Sequence, residues 1–153
     1  MLMVCAFVVG IVAGLRAMMA PAVVSWFARL GIVGVNDTPL AFMGYHYTPF
    51  VISLLAVGEL INDKLPKTPS RKTPPQFIGR LLTGGLSGAT IGAAGHSLIA
   101  GLVLGMLGAV AGTLGGAAVR GKLAAAFSKD LPAALLEDVT AIAVAIFSVL
   151  ELI

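Results

Sequence analysis

Four of the seven acidic residues in this chain lie in two short motifs within apolar sequence. The first motif contains Glu59, Asn62 and Asp63, which would share one face of a helix because residues three and four apart are neighbours there. Such a face could hold a cation, relay a proton or pair with a basic side chain. Acids at a helix C-terminus oppose the macrodipole, so a cationic partner is expected there.

The second motif is the adjacent pair Glu137 and Asp138. Neighbouring helical residues point about 100° apart, so the two carboxylates cannot both face one partner. Early in a helix their negative charge would complement the macrodipole. If both motifs lie at the same membrane depth, the two acid sets could instead line a shared vestibule.

Arg16 is a basic residue inside the first apolar segment. We predict that it lies toward the external half of that segment, away from the acid motifs. Three interpretations are open: it snorkels outward, it pairs with Glu151 near the end of the chain, or it binds an anionic ligand.

The composition indicates the environment in which these charges must fold. Hydrophobic residues make up 58% of the 153 residues and charged residues only 11%, whereas soluble domains average about 25% charged. The 19 glycines suit helices that pack closely in lipid. We therefore predict an all-α polytopic helical membrane protein, with residues 1–153 forming a single transmembrane domain.

Apolar runs between polar breaks predict about five transmembrane helices. Leu81–Val119 contains no charged side chain, and as one helix it would extend about 58 Å, so we place a hairpin at Gly95–Ser97. No basic residue precedes the first run, which favours a retained span over a cleavable signal. The predicted spans are Leu2–Ala20, Thr48–Ile61, Phe77–Ala94, Leu98–Val119 and Ala133–Leu150.

Two polar connections carry most of the positive charge. Residues 64–80 form a basic, proline-rich loop, and residues 120–132 form a second polar connection, part of which could be an amphipathic helix. Basic loops favour the cytoplasm, so five spans predict a cytoplasmic N-terminus and an external C-terminus. The first loop could also bind anionic lipid headgroups. Its candidate residues are Lys64, Lys67, Arg71, Lys72 and Arg80.

Glycines recur every fourth residue in the third and fourth predicted spans, at Gly84, Gly88 and Gly92 and again at Gly101 and Gly105. Each set forms a smooth face for close helix packing, either within the chain or in a homo-oligomer. A sliding surface or a pore wall is the functional alternative. Gly10–Gly14 resembles Gly108–Gly112, which suggests an inverted repeat of spans 1–2 and 4–5, as in many transporters.

Several site classes have no pattern in this sequence. There is no phosphate loop, nucleophile elbow or metalloprotease motif, so neither an enzyme nor a cofactor is predicted. Basic residues lie between apolar segments, which argues against nucleic acid as a partner. The only cysteine, Cys5, excludes an internal disulfide. His46, His96 and Asp37 lack the local spacing of a metal site, so no metal is predicted.

The charged and glycine motifs together resemble a family of small bacterial multi-pass membrane proteins, domain of unknown function 4126. The resemblance rests on Gly14–Ala17, Glu59–Pro66, Gly115–Gly116 and Glu137–Asp138, in this order along nearly the whole chain. Asn62 departs from the pattern, where Ala is expected. The resemblance implies a bacterial inner-membrane protein but supplies no activity. It implies a polar signature of Arg16, Glu59, Asp63, Lys64, Glu137 and Asp138.

These observations support two functional hypotheses from different classes. The first is a small transporter or channel-like protein for an ion or small solute, with Arg16, Glu59, Asn62, Asp63, Glu137 and Asp138 along the path. The alternative is a non-transporting structural membrane protein that binds lipid or a protein partner through the 64–80 loop. A membrane-embedded enzyme ranks below both, because no nucleophile or metal set is present.

Overall fold

A computed structural model of the chain describes residues 1–65, 70 and 72–151. Over these ranges the chain is all-helical and contains no strand, which confirms the all-α prediction. A short 3₁₀ turn, Ala41–Gly44, lies between the second and third of six α-helices. The helices are α1 (Leu2–Leu15), α2 (Met19–Arg29), α3 (Thr48–Asn62), α4 (Pro74–Ala94), α5 (Leu98–Phe127) and α6 (Asp130–Leu150).

Two helices among the described residues, α5 and α6, are both long and apolar enough to cross a membrane. Helices α1 and α3 are apolar but shorter. A membrane character is therefore indicated by two helices, and the prediction of about five spans stays a prediction.

The predicted first span, Leu2–Ala20, was wrong because the chain breaks within it. Helix α1 ends at Leu15, and Arg16 adopts an extended conformation with φ −139° and ψ 109°. Helix α2 then begins at Met19 and runs through Pro21, which lies in its first turn and removes no intrahelical hydrogen bond there.

Both polar connections are shorter than predicted. Helix α4 begins at Pro74, since proline is well accommodated in the first turn of a helix. Helix α5 continues through Arg120 to Phe127 and α6 begins at Asp130, so most of the predicted connection over 120–132 is helical and the turn itself is short. The chain reverses at Ser128, whose φ is 54°, and the Ala124–Ala126 run before it favours helix.

Helices α1, α4 and α5 pack backbone against backbone through their glycines. A Cβ atom added at Gly105 would overlap the carbonyl oxygen of Gly84, and one at Gly10 would overlap that of Gly105. Gly88 and Gly101 oppose each other in the same way. The interpretation of the glycine repeats as close packing is confirmed within a single chain.

The same contacts give the relative direction of α1 and α5. Gly10 faces Gly105, and Gly14 faces Ala109 and Thr113, so residue numbers rise together and the helices run parallel. The predicted inverted repeat required the first and fourth spans to run in opposite directions. That prediction was wrong, because the resemblance of Gly10–Gly14 to Gly108–Gly112 reflects two glycine faces that pack on each other.

The first and last residues that the structure describes, Met1 and Glu151, lie at the same end of the helix bundle. Met1 and Glu151 line one surface cavity, and Gly95 lies against Leu2. Gly34 lines that cavity too, so α2 has returned the chain to where α1 began. This arrangement differs from the predicted termini on opposite sides of a membrane, because the break at Arg16 adds a returning segment. The membrane sidedness itself stays a prediction. We call this end the terminal end and the opposite one, where α3 ends and α4 begins, the charged end.

Candidate functional site

The break between α1 and α2 leaves backbone groups that side chains from other helices satisfy. Nη1 of Arg80, in α4, donates hydrogen bonds to the carbonyl oxygens of Gly14 and Leu15 at 2.8 and 2.7 Å. The hydroxyl of Thr113 also donates to the Gly14 carbonyl, at 3.3 Å. The last carbonyls of a helix lack intrahelical partners and carry partial negative charge, so a guanidinium is favourable there.

This position overturns one assignment made from sequence. Arg80 is only 2% exposed and belongs to the interior of α4, so it is not part of an aqueous loop that binds lipid headgroups. Pro74 and Pro75 open the helix six residues earlier, which carries Arg80 into the helix bundle.

On the other side of the break, Glu59 caps the start of α2. Its Oε1 accepts a hydrogen bond from the amide of Ala17 and its Oε2 accepts one from the amide of Met18, each at 2.8 Å. A carboxylate is favourable at a helix N-terminus because the free amides there carry partial positive charge. Nη2 of Arg80 lies 3.8 Å from Oε1 of Glu59, so the two caps are adjacent.

Arg16 occupies the break itself and is fully buried. Its guanidinium forms ion pairs with Asp63, at the end of α3, and with Asp138, in α6. The prediction that Arg16 lies away from the acid motifs was therefore wrong, and so were the interpretations that it snorkels outward or pairs with Glu151. Because the chain turns back after Leu15, the end of α1 lies at the charged end, whereas Glu151 lies at the terminal end.

Asp138 also forms an ion pair with Lys64, whose Nζ lies 3.1 Å from Oδ2 of Asp138. The Lys64 side chain is 32% exposed, against 9% for Asp138, so the lysine covers the carboxylate from the solvent side. Lys64 was predicted as a headgroup ligand, and the structure adds this contact with Asp138.

Glu137 points to a different partner, as its adjacency to Asp138 requires. Its Oε2 lies 3.4 Å from Nη1 of Arg120, in α5. Nε and Nη2 of Arg120 also donate to the carboxylate of Asp130, at 3.0 and 2.6 Å. The prediction that Glu137 and Asp138 face separate partners is confirmed.

The acidic side chains are therefore paired with basic side chains or with backbone amides. They form a packed cluster, whereas the sequence suggested that they line an open vestibule. Around the break, Arg16, Arg80 and Lys64 are matched by Glu59, Asp63 and Asp138 in equal number. Such matching is required because an uncompensated buried charge costs several kcal/mol. We call these six residues the break cluster.

A groove of about 420 Å³ lies beside the break, between α3 and α4. Ala17 and Met18 line it on one side and Glu59 and Asn62 on another. Gly79, also in its wall, has no atom within 4 Å of where a Cβ would lie, so there is room for a small molecule. The groove therefore reaches the capped start of α2.

The remaining candidates lie outside the break cluster. Lys72 is exposed, while Lys67 and Arg71 lie outside the described residues. His46 contacts Arg29 and packs edge-on against Tyr47 at the start of α3. Over 1–65, 70 and 72–151, no three His, Cys, Asp or Glu side chains lie close enough together to hold a metal ion.

Sequence reasoning missed the roles of Arg80 and Arg120, which it placed in loops. The prolines before Arg80 were interpreted as part of a loop, although a Pro-Pro pair can also mark a helix start. For Arg120, the signal was the helix-favouring run Lys122–Ala126 that follows it.

Comparison with protein-family models, curated proteins and solved structures finds no match to this chain. The family resemblance stated above therefore stays a prediction.

Proposed function

We propose that the chain is a multi-pass integral membrane protein that moves an ion or small solute through the groove beside the break. The proposal has two parts, the membrane environment and transport, and different observations support them.

The distribution of side chains supports the membrane environment. Large apolar side chains face outward on three helices: Leu54 is 73% exposed, Ile99 75% and Phe147 68%. The interior holds mainly alanine, glycine and valine, together with the charged side chains of Arg16 and Arg80. In water this arrangement would leave a large apolar surface uncovered, whereas in lipid it is favourable.

The charge distribution supports an orientation. Lys64, Lys72, Arg80 and Arg120 lie toward the charged end, so the positive-inside rule favours a cytoplasmic charged end. Both termini would then lie outside the cytoplasm, in a bacterial inner membrane if the family resemblance holds.

The observation that carries the transport proposal is the discontinuous helix pair α1–α2. Transporters commonly build substrate sites from broken membrane helices, whose free amides and carbonyls face the solute. Here the amides of Ala17 and Met18 start α2, and Glu59 already holds the position that an anionic group would take. A small anionic solute would compete with Glu59 for these amides, whereas a cation would bind Glu59 and Asn62 in the groove.

Passage beyond the groove would require the break cluster to open. Arg16 connects α3 to α6 through Asp63 and Asp138, so separation of these helices must break at least one of the two ion pairs, together with the pair between Lys64 and Asp138. The cluster would therefore act as the closed gate at the charged end.

Flux measurements in proteoliposomes test this proposal. We expect flux of at least one member of a panel of small anions, cations and protons, and a loss of about tenfold or more in Glu59→Gln. Glu151→Gln is the matched control, because it makes the same change at the terminal end. No flux for the whole panel, or equal flux in wild type and Glu59→Gln, would contradict the proposal.

One observation favours a second candidate, a non-transporting membrane scaffold: the acids of the break cluster are already paired with cations or amides. Such a protein would bind anionic headgroups or a cytosolic partner through the 64–80 segment. Replacing Lys67, Arg71 and Lys72 by Gln should then abolish localisation or vesicle binding, while Glu59→Gln should not.

A further inference from the structure

A second cavity lies apart from the groove, on the far side of α1. It is a slot of about 340 Å³ between α5 and α6, with α1 as its floor. Along α5 it extends from Ala111 to Leu123, about 18 Å at 1.5 Å per residue. Its wall is almost entirely apolar, and the charged side chains on it are Arg120 and Glu137.

The charged pair lies toward one end of the slot. Arg120 is three residues from Leu123 and nine from Ala111, so the apolar part extends from the pair toward the middle of the helix bundle. One leaflet of a hydrocarbon core is about 15 Å thick, half of a 30 Å core. The slot therefore has the length and lining that suit one acyl chain, with a polar group at the position of a headgroup.

Charge at the mouth favours an anionic headgroup. Lys122 and Lys129 are exposed near the turn between α5 and α6. Asp130, the exposed acid of this turn, is already paired with Arg120. The exposed charge that can meet a headgroup is therefore positive on balance.

We propose that this slot binds one acyl chain of an anionic phospholipid, with the headgroup beside Arg120 and the α5–α6 turn. The site is separate from the break and does not depend on transport. It depends only on the membrane environment.

The chain offers a matched pair of variants to test the site. Gly115 lines the slot and has no atom within 4 Å of an added Cβ, so Gly115→Leu fills the slot without displacing the backbone. Gly121 lies in the same helix with equally open space, but it does not line the slot. Gly121→Leu therefore controls for the added bulk and for the higher helix propensity of leucine.

The experiment uses the full-length protein in nanodiscs of phosphatidylglycerol and phosphatidylethanolamine, followed by native mass spectrometry. We expect one phosphatidylglycerol retained per chain in wild type and Gly121→Leu, and about tenfold less in Gly115→Leu. Lys122→Gln with Lys129→Gln should reduce the preference for phosphatidylglycerol over phosphatidylethanolamine. Equal retention in both leucine variants, or no stoichiometric lipid in wild type, would overturn the proposal. Retention of phosphatidylethanolamine in preference would overturn the headgroup assignment. Helical circular dichroism of each variant confirms that it is folded.

Discussion

Arg16 forms an ion pair with Asp138, which joins the break after α1 to the third turn of α6. The same guanidinium pairs with Asp63 at the end of α3. One fully buried side chain therefore holds together three segments that lie far apart in sequence. The packing of α1, α3 and α6 at the charged end therefore depends on the Arg16 side chain.

A double-mutant cycle on Arg16 and Asp138 measures this dependence. Arg16→Met should lower the free energy of unfolding by about 3–5 kcal/mol, because it leaves carboxylates buried without their cation. With Asp138→Asn added, the combined loss should be smaller than the sum of the single losses by about 0.5–3 kcal/mol. Denaturant titration in detergent, followed by circular dichroism, gives the values.

The control cycle pairs Arg16→Met with Glu151→Gln, which lies at the terminal end. Additivity within about 0.5 kcal/mol is expected there, because the two residues share no partner. If coupling to Glu151 exceeded coupling to Asp138, the observed arrangement of the break would be contradicted.

Removing the cap on α2 should destabilise the protein. Glu59→Ala leaves the amides of Ala17 and Met18 without their acceptor, and a buried amide without a partner costs about 1–3 kcal/mol. Glu59→Gln keeps one oxygen acceptor and should lose less. Unfolding in detergent compares the two variants, and a stability ranking with Gln below Ala would show that the carboxylate does not act as a cap.

Two glycines of α5 should respond to alanine in opposite directions. At Gly105 the added methyl would overlap backbone atoms of α4, so Gly105→Ala should cost about 1–3 kcal/mol. At Gly121 nothing lies within 4 Å, so Gly121→Ala should gain about 0.5–1 kcal/mol from helix propensity. Parallel denaturant titrations test both, and equal effects at the two positions would argue against the packing of α4 on α5.

The sequence predicted features that depend on local pattern and missed those that depend on contacts across the fold. The bounds of α3 differ from the prediction by one residue, because polar sequence brackets a single apolar run. The hairpin at Gly95–Ser97 follows from the length of the apolar run around it. By contrast, hydropathy is continuous across Arg16, and the groups that stabilise the break come from Glu59 and Arg80, far away in sequence.

Missing that single break changed the predicted course of the whole chain. The acids were assigned to one side and Arg16 to the other, whereas the fold brings Arg16 to Asp63 and Asp138. Charge matching was the one available signal, since a buried arginine requires acidic partners. From the sequence alone, Glu151 was as suitable a partner for Arg16 as Asp63 or Asp138. Only the three-dimensional arrangement shows which acids Arg16 contacts.

The returning segment after Arg16 makes a prediction about membrane sidedness. The test uses a Cys5→Ser background, which removes the only cysteine. Single cysteines are then placed at four exposed positions, as Ser97→Cys, Glu151→Cys, Lys72→Cys and Lys129→Cys. Ser97 and Glu151 lie at the terminal end, so a membrane-impermeant maleimide should label both from the same side of the membrane. Lys72 and Lys129 lie next to helix starts at the charged end and should be labelled only from the other side.

Five alternating spans predict instead that the N-terminus and Glu151 lie on opposite sides. A tag at the N-terminus that is accessible from the side opposite Glu151 would contradict the arrangement of α1 and α2 described here.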